Sequence, residues 1–195
     1  MTQKIAEYYD LLSWVYDAKT PEFGRIPCIR AVDMLRANNI SELWKILELW
    51  CWTWQMLDEL GKTSIHFGNY VWVDISPKMI EIIQSKYPHV LTKKLDIEEN
   101  FDIEGRFDSI IMIGVFEFIK NKILLLDEIY KRLNAWWHLI MSFEKFVEWH
   151  PLQSEKISPM WKNWDAPIHP LTDFDNFRYT WDEVKGLLWD RFEIL

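Results

Sequence analysis

The chain has 195 residues, 49% hydrophobic and 27% charged, and this balance is typical of one folded domain with its own core. The net charge of −8 disfavours nucleic acid as a partner, because the phosphate backbone selects clustered lysine and arginine, and the longest basic cluster is only Lys93-Lys94. The two cysteines and five histidines show no metal or disulfide spacing. Without a signal-peptide core or a run of ~18 apolar residues, the sequence predicts a soluble cytoplasmic protein with no metal and no membrane partner.

Tryptophan and glycine occur in unusual proportions. The chain has 13 tryptophans and only 6 glycines, whereas a protein of this length ordinarily has roughly 14 glycines. Because glycine supplies helix C-caps and turns, the shortage is physically unexpected in a globular domain. If six of the tryptophans were glycines, the glycine count would double and the anomaly would largely vanish. These six are Trp50, Trp52, Trp54, Trp72, Trp136 and Trp137.

Hydrophobic periodicity predicts helices first and then alternating strands and helices. Residues 1–40 have apolar residues at helical spacing, with a break at Pro21 to Pro27. The predicted strands are Lys45–Leu49, Tyr70–Ile75, Val90–Leu95, Phe107–Gly114, His138–Ser142 and the start of a sixth at Phe192–Leu195. The predicted helices are Gln55–Leu60, one opened by Ser76-Pro77 and stopped by Pro88, one capped by Asn121 and running through Leu133, and Thr180–Leu188. We expect Asp127 and Lys131 to form an i,i+4 pair and Asn134 to Trp137 to form a turn.

This alternation predicts an α/β fold with a doubly wound, mostly parallel, Rossmann-like sheet covered by helices on both faces. We expect a single domain over residues 1–195. It comprises an N-terminal helical cap (1–40), a core (42–142), an irregular substrate-side segment (144–178), and a last helix with the start of an edge strand (180–195). We expect a C-terminal edge hairpin to be truncated.

In such a sheet the ligand binds at the carboxyl ends of the strands, near the reversal of strand order. The turn after the first strand falls there, with Glu48 and the tryptophans at 50, 52 and 54. Asp74, which lies 20 residues beyond Trp54, ends the second strand. An acid at this position binds ribose hydroxyls, and its alternative role is that of a solvated loop residue or a cap before Pro77.

Several segments resemble motifs of class I S-adenosylmethionine-dependent methyltransferases of the small-molecule type. Glu48-Leu49-Trp50-Cys51-Trp52-Thr53-Trp54 resembles the family's E-x-G-x-G-x-G loop, with tryptophan at each glycine position. Four further segments are similar to the second motif, the acidic adenine turn, the fourth strand and the L-x-P-G-G turn. They are Val71–Met79, Leu95-Asp96-Ile97, Phe107–Glu117 and Leu133–Leu139, and a family-like helix with Tyr9-Asp10 and Tyr16-Asp17 precedes them.

The resemblance implies S-adenosylmethionine as cofactor and assigns it a set of residues. The loop with Trp50, Cys51, Trp52 and Trp54 would pass beneath the methionine moiety, and Glu48 would orient that loop or the amino group. Asp74 would hold the ribose diol, Ile75 would lie against the adenine, and Asp96 and Ile97 would meet the adenine edge.

The implied reaction is in-line methyl transfer to a small-molecule acceptor, which requires positioning more than a dedicated catalytic group. We assign no catalytic residue. Glu117, after the fourth strand, is a candidate general base or substrate contact, and a surface acid is the equally plain alternative. That strand lacks the N/D-P-P-Y signature of enzymes that methylate base amino groups.

An NAD-type Rossmann oxidoreductase is the alternative enzyme class. Its G-x-G-x-x-G fingerprint requires the third glycine at Gln55, whereas the tryptophans fall on alternate residues. The spacing therefore favours the methyltransferase loop.

Three hypotheses account for the tryptophans. In the first, the gene belongs to a genome that reads UGA as glycine, and its translation took UGA as tryptophan. In the second, the protein is a non-catalytic, methyltransferase-like binding module whose pocket is filled by indoles. In the third, the substitutions were engineered. As printed, with three indoles in the loop, the chain is expected not to bind the cofactor and to be inactive. Under the first hypothesis the natural protein has glycines there and is an active enzyme. Trp181 is expected to be a genuine tryptophan, because it opens a helix where an aromatic ring can pack.

Overall fold

The computed structural model describes residues 2–13, 21–50, 54–150, 153–159 and 175–194. Its helices and strands, in chain order, are α1 (Thr2–Leu12), α2 (Pro21–Ala37), β1 (Glu42–Leu49), α3 (Gln55–Gly61), β2 (His66–Asp74), α4 (Pro77–Lys86), β3 (Leu91–Lys94), β4 (Phe107–Met112), a 3₁₀ turn (Phe116–Phe118), α5 (Lys122–Arg132), β5 (Leu133–Met141), β6 (Ile157–Pro159), β7 (Asp175–Phe177) and α6 (Trp181–Leu188). None of the helices in these ranges is long and apolar enough to cross a membrane.

Five strands form one parallel sheet in the order β3-β2-β1-β4-β5. The order reverses between β1 and β4, which is the switch point of a doubly wound sheet. A separate antiparallel pair joins β6 to β7. The predicted fold class is therefore confirmed.

Alternate residues of the strands supply two apolar layers, one on each face of the sheet. On one face Leu47 and Val73 pack with side chains of α1, α5 and α6. On the other face Ile46 and Trp72 pack with side chains of α2 and α3. This covering on both faces explains why β4 is buried at every residue.

The predicted helix caps agree with the structure. The Ser76 side chain accepts a hydrogen bond from the Met79 N–H, with Pro77 at the first helical position. Asn121 caps α5 by accepting from the Leu124 N–H. Thr180 and Glu183 form a capping box at α6. Each cap satisfies backbone donors that the first helical turn leaves unpaired.

Two expectations, about helix α2 and strand β5, are wrong. Helix α2 runs through Pro27, because the fixed φ of proline suits a helix and the buried face around Ala31 offsets the lost hydrogen bond. The expected turn at Asn134 to Trp137 belongs to β5, which starts at Leu133. The pairing shifts between Phe107 and Ser109, so the extra residues form an irregularity in the ladder. Tryptophan favours strands, whereas glycine would favour the expected turn.

Two further expectations, the strand at the end of the chain and the Asp127–Lys131 pair in α5, are also wrong. Residues 192–194 form no strand, because Phe192 packs edge-on against Tyr130 and the Arg191 guanidinium pairs with Asp127 at 2.6 Å. Lys131 pairs with Glu128 rather than Asp127. The chain after α6 is thus attached to α5 instead of extending the sheet.

Candidate functional site at the switch point

The carboxyl ends of β1 and β4 lie side by side at the switch point, where doubly wound sheets bind their ligands. The turn after β1 begins at Trp50. The segment after β4 passes through Gly114, whose φ is 66°, into the 3₁₀ turn. The Gly114 N–H donates to the Ser142 hydroxyl at 2.7 Å, which ties the ends of β4 and β5 together.

Trp50 has a left-handed backbone with φ of 51°. This conformation costs a residue with a side chain roughly 1–2 kcal/mol and is ordinarily taken by glycine. The Trp50 N–H donates to the Val73 carbonyl at 2.7 Å, so the turn is tied to β2. The indole is only 2% exposed and stacks on Phe118 of the 3₁₀ turn, with ring centroids 6.3 Å apart. The Trp50 side chain therefore fills the space between the ends of β1 and β4.

The indole N–H of Trp50 has no hydrogen-bond partner in the described part of the chain, although it is buried. A buried donor without a partner costs about 1–3 kcal/mol. Trp50 thus combines an unsuitable backbone angle with an unsatisfied polar group. Both defects are absent when the residue is glycine.

The rest of the loop is described only at its far end. Cys51 and Trp52 lie outside the described residues. Trp54 precedes α3 with an ordinary negative φ, and the Lys86 ammonium lies 3.5 Å from its ring centroid. Trp54 therefore differs from Trp50, because its side chain has a favourable partner.

Glu48 is held at the carboxyl end of β1 by two aromatic side chains of β2. The Tyr70 hydroxyl donates to its carboxylate at 2.9 Å, and the Trp72 indole N–H donates to the same oxygen. Burial raises the pKa of Glu48 to about 8, although both hydrogen bonds oppose the shift. Trp72 therefore engages the carboxyl group that was expected to orient the cofactor loop.

The turn after β2 is arranged around Asp74, which is buried at the end of the strand. The Ser76 N–H donates to its carboxylate at 2.8 Å. The neighbouring Ile75 is buried in the same apolar layer as Trp50. These two predicted binding residues thus lie one strand away from the β1 turn, as expected for a nucleotide site.

Helix α1 is attached to this turn. Asp10 accepts hydrogen bonds from the Ser76 hydroxyl at 2.5 Å and from the Lys78 N–H at 3.2 Å. Tyr9, the neighbouring residue, is buried in the apolar layer. Tyr16 and Asp17 lie outside the described residues.

Asp96 and Ile97 follow β3 at the same edge of the sheet. The Asp96 carboxylate accepts from the Glu98 N–H at 3.0 Å and so shapes its own turn. Ile97 is buried against the apolar layer that contains Ile75. The structure therefore brings Glu48, Asp74, Ile75, Asp96 and Ile97 to the carboxyl edge.

Glu117 lies in the 3₁₀ turn and is 6% exposed, so the surface-acid interpretation is wrong. Three further residues were not predicted from the sequence: Lys122, Glu144 and Arg178. Glu144 and Arg178 lie in the aperiodic C-terminal segment, where no pattern marks a buried charge. Lys122 looked like an ordinary first-turn lysine of α5.

Comparisons with known proteins agree with this geometry. Residues 47–135 match the family model described as a methyltransferase domain. This part of the chain, from β1 to the start of β5, is therefore similar to a methyltransferase domain. A search of curated proteins found no significant match to the sequence.

Solved methyltransferase structures share this fold. The DhpI complex with S-adenosylhomocysteine superposes with a TM-score of 0.70 and 14% identity over 97% of this chain and 86% of that chain. A Clostridium acetobutylicum S-adenosylmethionine-dependent methyltransferase gives 0.66 and 14% over 93% and 86%. One from Mesorhizobium loti gives 0.63 and 15% over 82% and 78%. These likenesses show that the chain has the fold of these solved methyltransferases.

The residues around the β1 turn nevertheless do not fit S-adenosylmethionine. A cofactor-binding turn exposes backbone amides to the ligand, and this needs residues without a bulky side chain. In this chain the buried Trp50 indole takes up that space instead. With tryptophan at position 50, a buried side chain lies where such a turn would expose its backbone amides.

Proposed function

We propose that this protein is an S-adenosylmethionine-dependent methyltransferase that acts on a small-molecule acceptor by in-line transfer, and that its working form has glycine at positions 50, 52 and 54. The observation that carries the proposal is the φ of 51° at Trp50. The backbone keeps a glycine conformation although the side chain is the largest available. Glu48, Asp74 and Asp96 lie at the carboxyl edge of the same sheet, which supports the proposal.

The proposed roles follow the expected motif. A glycine at 50 would open the crevice that the indole fills, and the loop would then pass beneath the methionine moiety. Asp74 would bind the ribose hydroxyls, and Ile75, Asp96 and Ile97 would contact the adenine. Asp74 is suited to this role because the Ser76 N–H fixes its orientation.

A calorimetric titration with S-adenosylhomocysteine tests the cofactor part of the proposal. We expect no binding to the chain with tryptophan and clear binding to the W50G/W52G/W54G variant. Adding D74N to that variant should abolish binding, whereas E99Q, at an exposed acid, should not change it. If the glycine variant folds and still does not bind, the protein is better described as a methyltransferase-like interaction module.

The coding DNA tests the origin of the tryptophans. The recoding hypothesis requires UGA codons at residues 50, 52 and 54. UGG at these positions would exclude it and leave a pocket filled by genuine indoles, or engineering, as the explanation.

Transfer of a radiolabelled methyl group tests whether the acceptor is a small molecule, a protein or a nucleic acid. The glycine variant would be incubated with the filtered small-molecule fraction of a cell extract and, separately, with its protein and nucleic acid fractions. The net charge of −8 supports label in the small-molecule fraction. Label found mainly in nucleic acid or protein would contradict this part of the proposal.

A further inference from the structure

A group of charged residues, three of them buried and Glu144 partly exposed, lies beyond the β1 turn, near the ends of β4 and β5. We call it the acceptor-side cluster; it consists of Glu117, Lys122, Glu144 and Arg178. Glu117 follows β4 and Glu144 follows β5, so both leave the carboxyl edge of the sheet. Glu117 and Arg178 are almost fully buried. Buried charges are costly unless they are paired, so the partners of each member are informative.

Three of the four residues have identifiable partners. The Arg178 guanidinium lies 3.8 Å from the Glu144 carboxylate and donates to the Glu155 carbonyl at 3.0 Å. The Lys122 ammonium donates to the Ile119 carbonyl and lies 4.2 Å from the Phe177 ring centroid and 4.9 Å from that of Tyr179. Both cations of the cluster are therefore engaged elsewhere.

Glu117 is the exception. Its Oε2 atom makes no hydrogen bond to the described residues, although the side chain is buried. Burial raises the pKa of Glu117 to about 8, Glu144 adds to the rise, and Lys122 opposes it. Glu117 thus has no ion pair with the described residues, and its burial favours the protonated form.

A third acid, Glu98, approaches Lys122 from the segment after β3, and its carboxylate accepts from the Lys120 and Asn121 N–H groups. With Glu117 protonated, the group lacks no cation. An ionised Glu117 would require one, because Lys122 and Arg178 are engaged with other groups.

Aromatic rings flank the same position. Phe116 and Phe118 adjoin Glu117 in the 3₁₀ turn, and Phe118 stacks on Trp50 in the β1 turn. Phe116 also packs against Tyr179, with ring centroids 5.3 Å apart. Aromatic faces attract cations, and the Phe116 and Phe118 rings belong to residues that adjoin Glu117 in the chain.

We propose that Glu117 binds the protonated amine of the methyl acceptor, so that the substrate class is a small organic amine. The inference rests on the proposed function, because it places the acceptor next to the turn that would hold the cofactor. Glu117 is a substrate-binding residue in this proposal. The amine nitrogen would donate to the Oε2 atom that has no partner.

Binding of such a cation has a proton signature. Before binding, Glu117 is mostly protonated at pH 7, since its pKa is about 8. An alkylamine has a pKa of about 10.4 and stays charged, so it stabilises the ionised carboxylate. Amine binding should therefore release close to one proton at pH 7, and progressively less as the pH rises through 8.

Cyclohexylamine is a suitable probe and cyclohexanol its neutral counterpart. Calorimetric titrations of the W50G/W52G/W54G protein, in buffers of different ionisation enthalpy, measure both affinity and proton release. We expect cyclohexylamine to bind at least tenfold more tightly than cyclohexanol, with proton release. Equal affinities, no binding of the amine, or binding without proton release would each overturn the proposal.

The E117Q variant should lose the preference for the amine, because glutamine presents a neutral amide of the same shape. The control E99Q should keep both the preference and the proton release. Should E117Q fail to fold, the proton measurement on the parent protein still decides the matter. The S-adenosylhomocysteine titration is independent of Glu117, so failure of the cofactor proposal and failure of the amine proposal are distinguishable.

Discussion

The turn after β1 and the turn after β2 leave the same edge of the sheet, but only the second consists of residues that suit its backbone. After β2, the Asp74 carboxylate accepts from the Ser76 N–H, the Ser76 hydroxyl caps α4, and Pro77 opens that helix, where its missing N–H costs nothing. After β1, Trp50 takes a left-handed conformation and buries an indole N–H without a described partner. Position 50 therefore has a glycine-like backbone although its side chain is an indole.

Trp72 makes the comparison sharper, because it too stands at a family glycine position. It is fully buried in an extended strand, donates to Glu48, and packs against Tyr70 and Tyr87. Tryptophan is compatible with the backbone there. The backbone at position 72 thus suits tryptophan, whereas the backbone at position 50 does not.

The largest expected effect is therefore at Trp72. Truncation by W72A removes a fully buried indole and should lower the free energy of unfolding by about 3–5 kcal/mol. W72G should be less stable still, by roughly 0.5–1 kcal/mol, because glycine is unfavourable in a strand. Urea unfolding of the two variants measures both differences. If W72G proved more stable than W72A, the strand would share the strain of the β1 turn and the comparison would fail.

The buried acid near the end of β1, Glu48, offers a second test through the pH dependence of stability. Burial raises the pKa of Glu48 from its usual 4.5 to about 8. Its contribution is fully present below pH 4.5, where the group is protonated in both states, and is lost as the pH rises through 8. Between pH 5 and 8 the free energy of unfolding should fall by up to about 1.4 kcal/mol per pH unit from this group.

The E48Q variant should show a flatter profile, because glutamine does not titrate and keeps an oxygen that accepts from Tyr70. Urea unfolding at pH 5, 7 and 9 gives the slopes. Glu117 contributes in the same direction, since its pKa is also raised to about 8, so the slope should decrease without vanishing. An unchanged slope in E48Q would show that Glu48 is already ionised in the folded protein.

At position 50 the expected difference in stability between the glycine and alanine variants is smaller than the loss expected in W72A, but its sign is distinctive. Both W50A and W50G lose the buried indole, so each should be less stable than the parent. W50G should nevertheless be more stable than W50A by about 1–2 kcal/mol, because only glycine takes a φ of 51° without cost. This order is the reverse of that expected at Trp72. The same order at both positions would remove the structural argument for glycine at 50.

Much of the fold could be predicted from the sequence because its signals are local. The alternation of apolar strands with capped helices predicted the parallel sheet, and Ser76-Pro77 marked the start of α4 to the residue. The site residues could be placed at the carboxyl edge for the same reason, since each follows a strand. The spacing of the loop tryptophans carried the family resemblance.

The remainder depends on contacts between distant residues. The end of the chain was expected to form a strand, but Arg191 pairs with Asp127, which is 64 residues earlier. The charges of Glu144 and Arg178 meet only when the aperiodic segment packs against the 3₁₀ turn, and no periodicity encodes that packing. The capture of Glu48 by Trp72 was missed because the tryptophan was interpreted as a glycine.

The smallest expected effect tests the turn after β2, whose residues suit its backbone. S76A removes the hydroxyl that accepts from the Met79 N–H and donates to Asp10, which should cost about 1 kcal/mol in the free energy of unfolding. S76T retains a hydroxyl and should lose much less. S85A, at an exposed position inside the same helix, should be neutral or slightly stabilising, because alanine favours helices.

Because the Asp10 bond attaches α1 to this turn, S76A should also increase amide hydrogen exchange in α1, whereas S85A should not. Equal exchange in the two variants would mean that α1 is held by its buried residues, Ile5 and Tyr9, and that the polar bridge to the β2 turn contributes only to the helix cap.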